Sequence, residues 1–414
     1  MQAVGLITEY NPFHNGHLHH LRESLRVTGA EVAVAVMSGH FLQRGEPALL
    51  DKWGRAEMAL RSGVDVVVEL PLPWACSSAP DFSRGGVKSL ALLGVDSLCF
   101  GSECGEIEPL QYCADFLHDN DSFVTGKTSE LLRQGVNYPQ ARAQVLTELS
   151  AELLDPTVIT APNNILGIEY LKVLKELTST IQPVTIARIG AGYHDVDAGV
   201  DGIASATGIR QKMLESEAVD TLLPPTVQSI LHQATAHGRV VSVDKYYQLL
   251  LAQIFRSPTE LSDLWLVENG IENRLLTVAE NATSLAELVS GLKSRQLTRT
   301  RIQRLLVSVL LGLKRDIVPP LLAVGPQYLH LLAASAKGQK FLASRRKQRS
   351  IPLVQNFSRV YAILKRHYGF ESAAYRLALE QLNLELKATK LYTLLSQDYT
   401  GGSRNRDFYE SLKI

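Results

Sequence analysis

The chain has 414 residues, 45% hydrophobic and 20% charged. This is an ordinary globular balance, which excludes a disordered, collagenous or small disulfide-stapled protein. Its 42 Lys+Arg offset 42 Asp+Glu, and its four cysteines (Cys76, Cys99, Cys104, Cys113) form no CxxC pair and read as free thiols of a reducing cytosol.

Ala3–Glu9 is apolar and strand-like, with neither the basic start nor the apolar run of a signal peptide. Leu18–Val27 follows with helical spacing. Glu31–Ser38, which contains VAVAVMS, predicts a buried parallel strand. Leu50–Arg61 reads as a helix, Asp65–Leu70 (DVVVEL) as a strand stopped by Pro71 and Pro73, Ser83–Leu93 as a helix, and Val95–Phe100 as a strand ending at Gly101. Leu110–Glu152 looks mostly helical. Asn163–Leu177 predicts a helix, Val184–Ile189 a last strand and Ser205–Glu217 a last helix. Strands and helices alternating at this spacing imply βαβ units and a parallel sheet. After about Asp220 the pattern changes. Pro224-Pro225 reads as a linker, and the segments beyond are long, Leu-rich and helically spaced. The greasiest stretch, Leu305 to Val324, is cut by Lys314-Arg315-Asp316 and two prolines, too broken to span a membrane. The expectation is a soluble, cytoplasmic α/β protein: a doubly wound catalytic domain over residues 1–219, then a mostly α-helical domain over 220–414.

The neutral total conceals an asymmetry. Residues 1–219 hold 16 basic and 27 acidic side chains, a net of −11; residues 220–414 hold 26 and 15, a net of +11. Lys293 to Arg349 carries 13 basic residues against one acid, Asp316. Lys293, Arg295, Arg299, Arg301 and Arg304 form one spaced set, and Arg345, Arg346, Lys347 and Arg349 another. The pattern suggests that the second domain meets a polyanion such as nucleic acid, although attraction between acidic and basic domains would also produce it.

The first chemical motif is TEYNPFHNGHLHHL, Thr8 to Leu21. His14 and His17 lie three residues apart where a helix opens, so they share a face. Gly16 clears room for a ligand. A helix N-terminus attracts anions, and two imidazoles there can donate to phosphate oxygens as charge builds in a transition state. Zinc binding by His14, His17, His19 and His20 lacks a nearby carboxylate or Cys at ligand spacing, so no metal site is expected. The second motif is SATGIR, Ser205 to Arg210, in which Ser205 reads as an N-cap, Thr207 as a first-turn hydroxyl and Arg210 as a charge clamp. In the segment Gly39–Arg55, Arg44 in the loop and Lys52 and Arg55 on the next helix are candidate ligands of an anionic substrate, pyrophosphate or RNA.

H-x-G-H after the first strand, with S-x-T-x-I-R near the domain's end, resembles the HIGH nucleotidyltransferase superfamily and its Rossmann-like doubly wound fold. Ala206 stands where many adenylyltransferases have a second serine. Over most of the chain the likeness is closer. GLITEYNPFHNGHLHHL, MSGHFLQRGEPALLDKWGRAEMAL (Met37–Leu60), DVVVELP, FGSE (Phe100–Glu103), APNNILGIEYL (Ala161–Leu171) and ARIGAGYHD (Ala187–Asp195) resemble the bacterial tRNA(Met) cytidine acetate ligase family. The resemblance implies that ATP activates acetate as acetyl-adenylate, and that the acetyl group passes to N4 of the wobble cytidine of elongator tRNA(Met). It implies Mg²⁺ beside ATP and no protein partner. It also implies an ATP site of Ile7, Thr8, Glu9, Tyr10, Asn11, Pro12, Phe13, His14, Asn15, Gly16, His17, Leu18, His19, His20, Gly101, Asn163 (read as a helix cap) and Arg188, with Ser205 and Thr207. His14, His17 and Arg210 would assist catalysis, and Lys293, Arg299, Arg301, Arg345 and Arg346 would hold tRNA. An adenylyltransferase of a small phosphorylated metabolite, or a non-catalytic RNA-binding protein with a nucleotide pocket, remains the alternative.

Overall fold

Five parallel pairings and one antiparallel pairing organise the central sheet. The computed structural model describes all residues except 137, 150–155, 189–202, 269, 296 and 399–403. The first half alternates as the sequence predicts: β1 (Ala3–Thr8), α1 (Asn15–Thr28), β2 (Val32–Ser38), α2 (Lys52–Arg61), β3 (Val66–Leu70), α3 (Leu72–Ala75), α4 (Ala79–Leu93), β4 (Ser97–Ser102), α5 (Ile107–Asp119), α6 (Asp121–Arg133), α7 (Tyr138–Leu149), α8 (Pro156–Thr160), α9 (Pro162–Glu176), β5 (Gln182–Ala187) and α10 (Ala206–Leu214). Residues 189–195 of the ARIGAGYHD segment lie outside the described residues.

The second half is mostly helical: α11 (Pro225–Ala236), α12 (Val243–Arg256), α13 (Ile271–Asn281), α14 (Leu285–Leu292), α15 (Arg299–Leu311), α16 (Val318–Val324), β6 (Leu329–Ala334), α17 (Ala336–Ser344), β7 (Leu353–Val354), α18 (Val360–Tyr368) and α19 (Ala373–Thr393). It nevertheless contributes β6 and β7 to the same sheet. The strand order is β5-β4-β1-β2-β3-β6-β7, with β6 antiparallel to β3. The boundary at 219/220 therefore does not divide the sheet. Pro224 and Pro225 form no linker: Pro224 is the N-cap of α11 and Pro225 its first residue, a position where a missing N–H costs nothing.

Every residue of β2 is buried on both faces, as a central parallel strand requires. β1 pairs with β2 from Ala3↔Val32 to Thr8↔Met37 and with β4 on its other side. After β3 the chain crosses β1 to reach β4, so the order reverses between β1 and β4. A doubly wound sheet binds ligands at this crevice, outside the carboxyl ends of its strands.

Candidate active site

The carboxyl ends of β1, β4 and β5 open onto a cavity of about 480 Å³. It gathers Ile7 and Thr8 at the end of β1 and Glu9, Tyr10 and Asn11 after it; His14, Gly16, His17, His19 and His20 at the start of α1; Gly101 from β4; Asn163 from α9; Arg188 after β5; and Ser205, Thr207 and Arg210 at α10. Arg44 also lines it. Four members of the 7–20 run do not. Pro12 and Phe13 are buried beneath it, Leu18 packs on the core, and Asn15 donates through Nδ2 to the Thr221 carbonyl at 3.0 Å.

His14 is the N-cap of α1. Its Nδ1 accepts the Gly16 N–H at 3.0 Å, and His17 Nδ1 accepts the His14 N–H at 3.3 Å. The reciprocal box usually made by Ser and Glu is here made by two imidazoles. Burial, aided by the charges of Arg188 and Arg210, lowers His14 to about 3. Burial with the neighbouring histidines and Arg188 takes His17 well below its ordinary value, and burial with Arg188 lowers His20 to about 4. The rings are neutral at pH 7. A neutral ring whose Nδ1 accepts carries its proton on Nε2. Each of His14 and His17 thus offers one Nε2–H donor and no charge; the positive charge acting on His14 is that of Arg188 and Arg210. A Cβ on Gly16 would lie 2.9 Å from His14 Cε1 and 3.1 Å from Ile203 Cγ2, so the motif's glycine keeps the first ring in place.

Ser205 caps α10, accepting the Gly208 N–H at 3.0 Å. Arg210 donates to the Asn11 carbonyl at 2.9 Å and lies 3.5 Å from Glu46 Oε2. This fixes the second motif against the loop after the first. Asn163 does not cap its helix. The cap is Ala161, and Asn163 donates to Glu103 Oε1 at 2.6 Å while accepting from Arg188 at 3.4 Å. Gly101 lies within β4 rather than after it, and a side chain there would press on Arg188.

Two expected ligands belong elsewhere. Lys52 is fully buried, 2.7 Å from Glu69 Oε2 and 2.6 Å from Asp407 Oδ1. Burial opposes its charge, but Asp407 and Glu69 more than offset this and hold it protonated. Its ammonium sits where a cation would be held by Glu69, His330 and Asp407, the one converging ligand set among the described residues. Arg55, also fully buried, donates to the carbonyls of Glu9, Ser38, Gly39 and Leu50. Neither side chain can meet acetate or tRNA; both brace the loop from below. In the basic stretch, Lys293, Arg299 and Arg346 are exposed, Arg301 pairs with Glu268 at 3.1 Å, and Arg345 pairs with Asp96 at 3.0 Å.

Sequence reasoning missed the contribution of the second half to the cavity. Thr300 and Arg304 of α15 line it. Arg304 Nε donates to the Gln43 carbonyl, and Gln303 Nε2 to Glu46 Oε1, both at 2.8 Å. Gly45, at φ +82°, brings the loop so close to α15 that a Cβ would lie 2.2 Å from the Arg304 nitrogen. Glu9, whose carboxyl is raised by burial, is held by the Gln43 N–H at 2.8 Å. No local signal announces these partners, because they are remote in sequence.

A strand-end histidine pair, an arginine clamp and a topological switch point define a nucleotidyl transferase class of site. Residues 1–407 match the family described as HIGH Nucleotidyl Transferase. A protein of Syntrophotalea carbinolica named tRNA(Met) cytidine acetate ligase is 55% identical over 99% of this chain and 98% of its own. One of that name from Lysinibacillus sphaericus is 37% identical over 99% and 98%. The crystal structure of Thermotoga maritima TmcAL bound with alpha-thio ATP superposes with a TM-score of 0.89 at 32% identity, covering 100% of both chains. The chain belongs to the HIGH nucleotidyl transferases and, within them, to the tRNA(Met) cytidine acetate ligase family.

Proposed function

We propose that the protein is an ATP-dependent ligase that adenylates acetate and transfers the acetyl group to N4 of the wobble cytidine of elongator tRNA(Met), in the cytoplasm. No helix among the described residues is long and apolar enough to cross a membrane. The observation that carries the reading is the pair of Nε2–H donors fixed at the start of α1, sharing one cavity with Arg188 and Arg210.

An acetate oxygen attacks the α-phosphorus of ATP, and the α–β bridging oxygen leaves with pyrophosphate. Acetate is already anionic, so no protein base is needed. His14 and His17 donate to phosphate oxygens as negative charge grows. Arg210, Ser205 and Thr207 hold the departing phosphates, which is electrostatic stabilisation by preorganised donors. The cytidine amine then attacks the acetyl carbonyl; AMP leaves and the amine loses its proton. The amine is a poor nucleophile, so orientation supplies much of the rate. The wobble base reaches the cavity splayed from its loop, while Arg44 and the exposed Lys293, Arg299 and Arg346 meet the RNA.

The cavity's carboxylates do not form a protein cage for Mg²⁺. Glu9 is held by the Gln43 amide, and Glu46 by Gln303 and Arg210. Mg²⁺ would enter with ATP rather than be held by these carboxylates, and would supply neutralisation of phosphate charge.

The test is ATP–pyrophosphate exchange with and without acetate and with and without tRNA. Acetate-dependent exchange supports the reading. Exchange indifferent to acetate under both conditions overturns it.

A further inference from the structure

A second hollow, of about 420 Å³, lies beside the nucleotide cavity. Both are lined by residues from the start of α4 and from α15, and Arg304 lines both. Ala79, Phe82 and Thr300 face the nucleotide side; Ser78, Asp81, Arg84, Trp265 and Leu322 face the other.

Trp265 is half-exposed but firmly anchored. Its backbone N–H donates to the Leu313 carbonyl at 2.7 Å, and its backbone carbonyl accepts from Ser308 Oγ at 2.6 Å. The next residue, Leu266, has φ +71°, a conformation that leucine holds only where its surroundings enforce it. Leu322 and Pro319 supply an apolar wall. Arg84 stands 3.9 Å from Asp81 and 3.5 Å from Glu176, and Ser78 Oγ donates to Asp81 Oδ2 at 2.9 Å. Arg304 uses Nε on Gln43, while its two terminal nitrogens make no hydrogen bond to the described residues. An indole face, an apolar wall, base-edge donors and acceptors, and guanidinium groups together form what a splayed single-stranded nucleobase and its phosphate need.

We propose that this hollow binds the nucleobase next to the acceptor cytidine, stacked on Trp265, with the intervening phosphate on Arg304. The proposal rests on the ligase reading and adds a subsite to it. Because one side chain borders both cavities, two neighbouring nucleotides can occupy them at once.

The test uses the full chain, an anticodon stem-loop RNA and full-length tRNA. Of the three tryptophans, Trp53 and Trp74 are buried, so stacking should quench the fluorescence of Trp265. Quenching by the stem-loop in the wild type, lost in Trp265→Phe, is expected. Trp265→Ala should raise the KM for tRNA about tenfold. Its acetate-dependent exchange should stay within about twofold of wild type, and Trp265→Phe should restore most of the tRNA KM. Quenching that persists in Trp265→Phe, or an unchanged KM in Trp265→Ala, overturns the subsite while the ligase reading stands. Absence of acetate-dependent exchange in the wild type overturns both.

Discussion

His14 and His17 lie ring on ring, centroids 3.7 Å apart, with both Nδ1 atoms turned to backbone amides. Two imidazolium ions could not share that position beside Arg188 and Arg210 without strong repulsion. The pair works as neutral donors in fixed orientation. Replacing either with alanine should reduce acetate-dependent exchange by about 10²–10³-fold. Because His14 titrates at about 3 and His17 well below its ordinary value, the exchange rate should show no acid limb near pH 6.5 that is due to these rings. A rate profile from pH 5.5 to 8 checks this.

Two of the cavity's histidines, His14 and His20, shape stability against acid. Their folded-state values lie below the unfolded value of 6.5. As pH falls below 6.5 the unfolded chain takes up protons that the native chain refuses until about 4 for His20 and about 3 for His14. The stability present above pH 6.5 is therefore lost on the way down. Each ring contributes up to about 1.4 kcal/mol per pH unit in that window. Thermal melts at pH 7, 6 and 5 should show falling Tm, and His20→Asn should shallow the slope.

Lys52 offers a direct measure of a buried cation. Lys52→Ala leaves Glu69 and Asp407 facing each other without a counter-charge. A loss of about 3–5 kcal/mol is expected in denaturant unfolding. Burial would raise the Glu69 carboxyl; Lys52 and His330 overcome this and hold it at about 2, so the variant should also gain a proton near neutral pH.

Gly45→Ala probes the seam between the loop and α15. The left-handed backbone alone costs about 1–3 kcal/mol for a side chain, and the new Cβ would strike the Gln303–Arg304 backbone. The variant should lose stability and raise the KM for ATP by displacing Glu46 and Arg210. Calorimetry and exchange kinetics measure the two effects.

Lys293, Arg299 and Arg346 are exposed. Alanine at each should weaken tRNA binding several-fold and lower the salt slope of log K by about 0.7–0.9 for each phosphate contact removed. Acetate-dependent exchange without tRNA should not change. Filter binding across a salt series decides.

The alternating half was legible because buried parallel strands and capped helices leave strong local signals. His14, Asp51 and Ser205 all stand where capping requires them. β6 was not legible. LHLLAA is buried at every position, so it lacks alternation and reads like the leucine-rich helices around it. Lys52 and Arg55 were misassigned for a similar reason. On α2 they look like solvent-facing cations, and their partners Glu69, Asp407 and the carbonyls of Glu9 and Ser38 are brought in by tertiary packing. Arg304 had a visible charge, but its destination depended on a loop far away in the chain.

The antiparallel pairing of Val66–Glu69 with His330–Ala334 also governs how the molecule is made. During synthesis β3 emerges early, and its outer margin stays bare until β6 arrives. Pairing that waits on so distant a segment is slow, and an unpaired apolar strand edge is an aggregation hazard in the interval. Cutting the chain at residue 219 would make that interval permanent. The two halves share one sheet, and a fragment carrying the histidine motif alone is expected to be insoluble rather than a minimal enzyme.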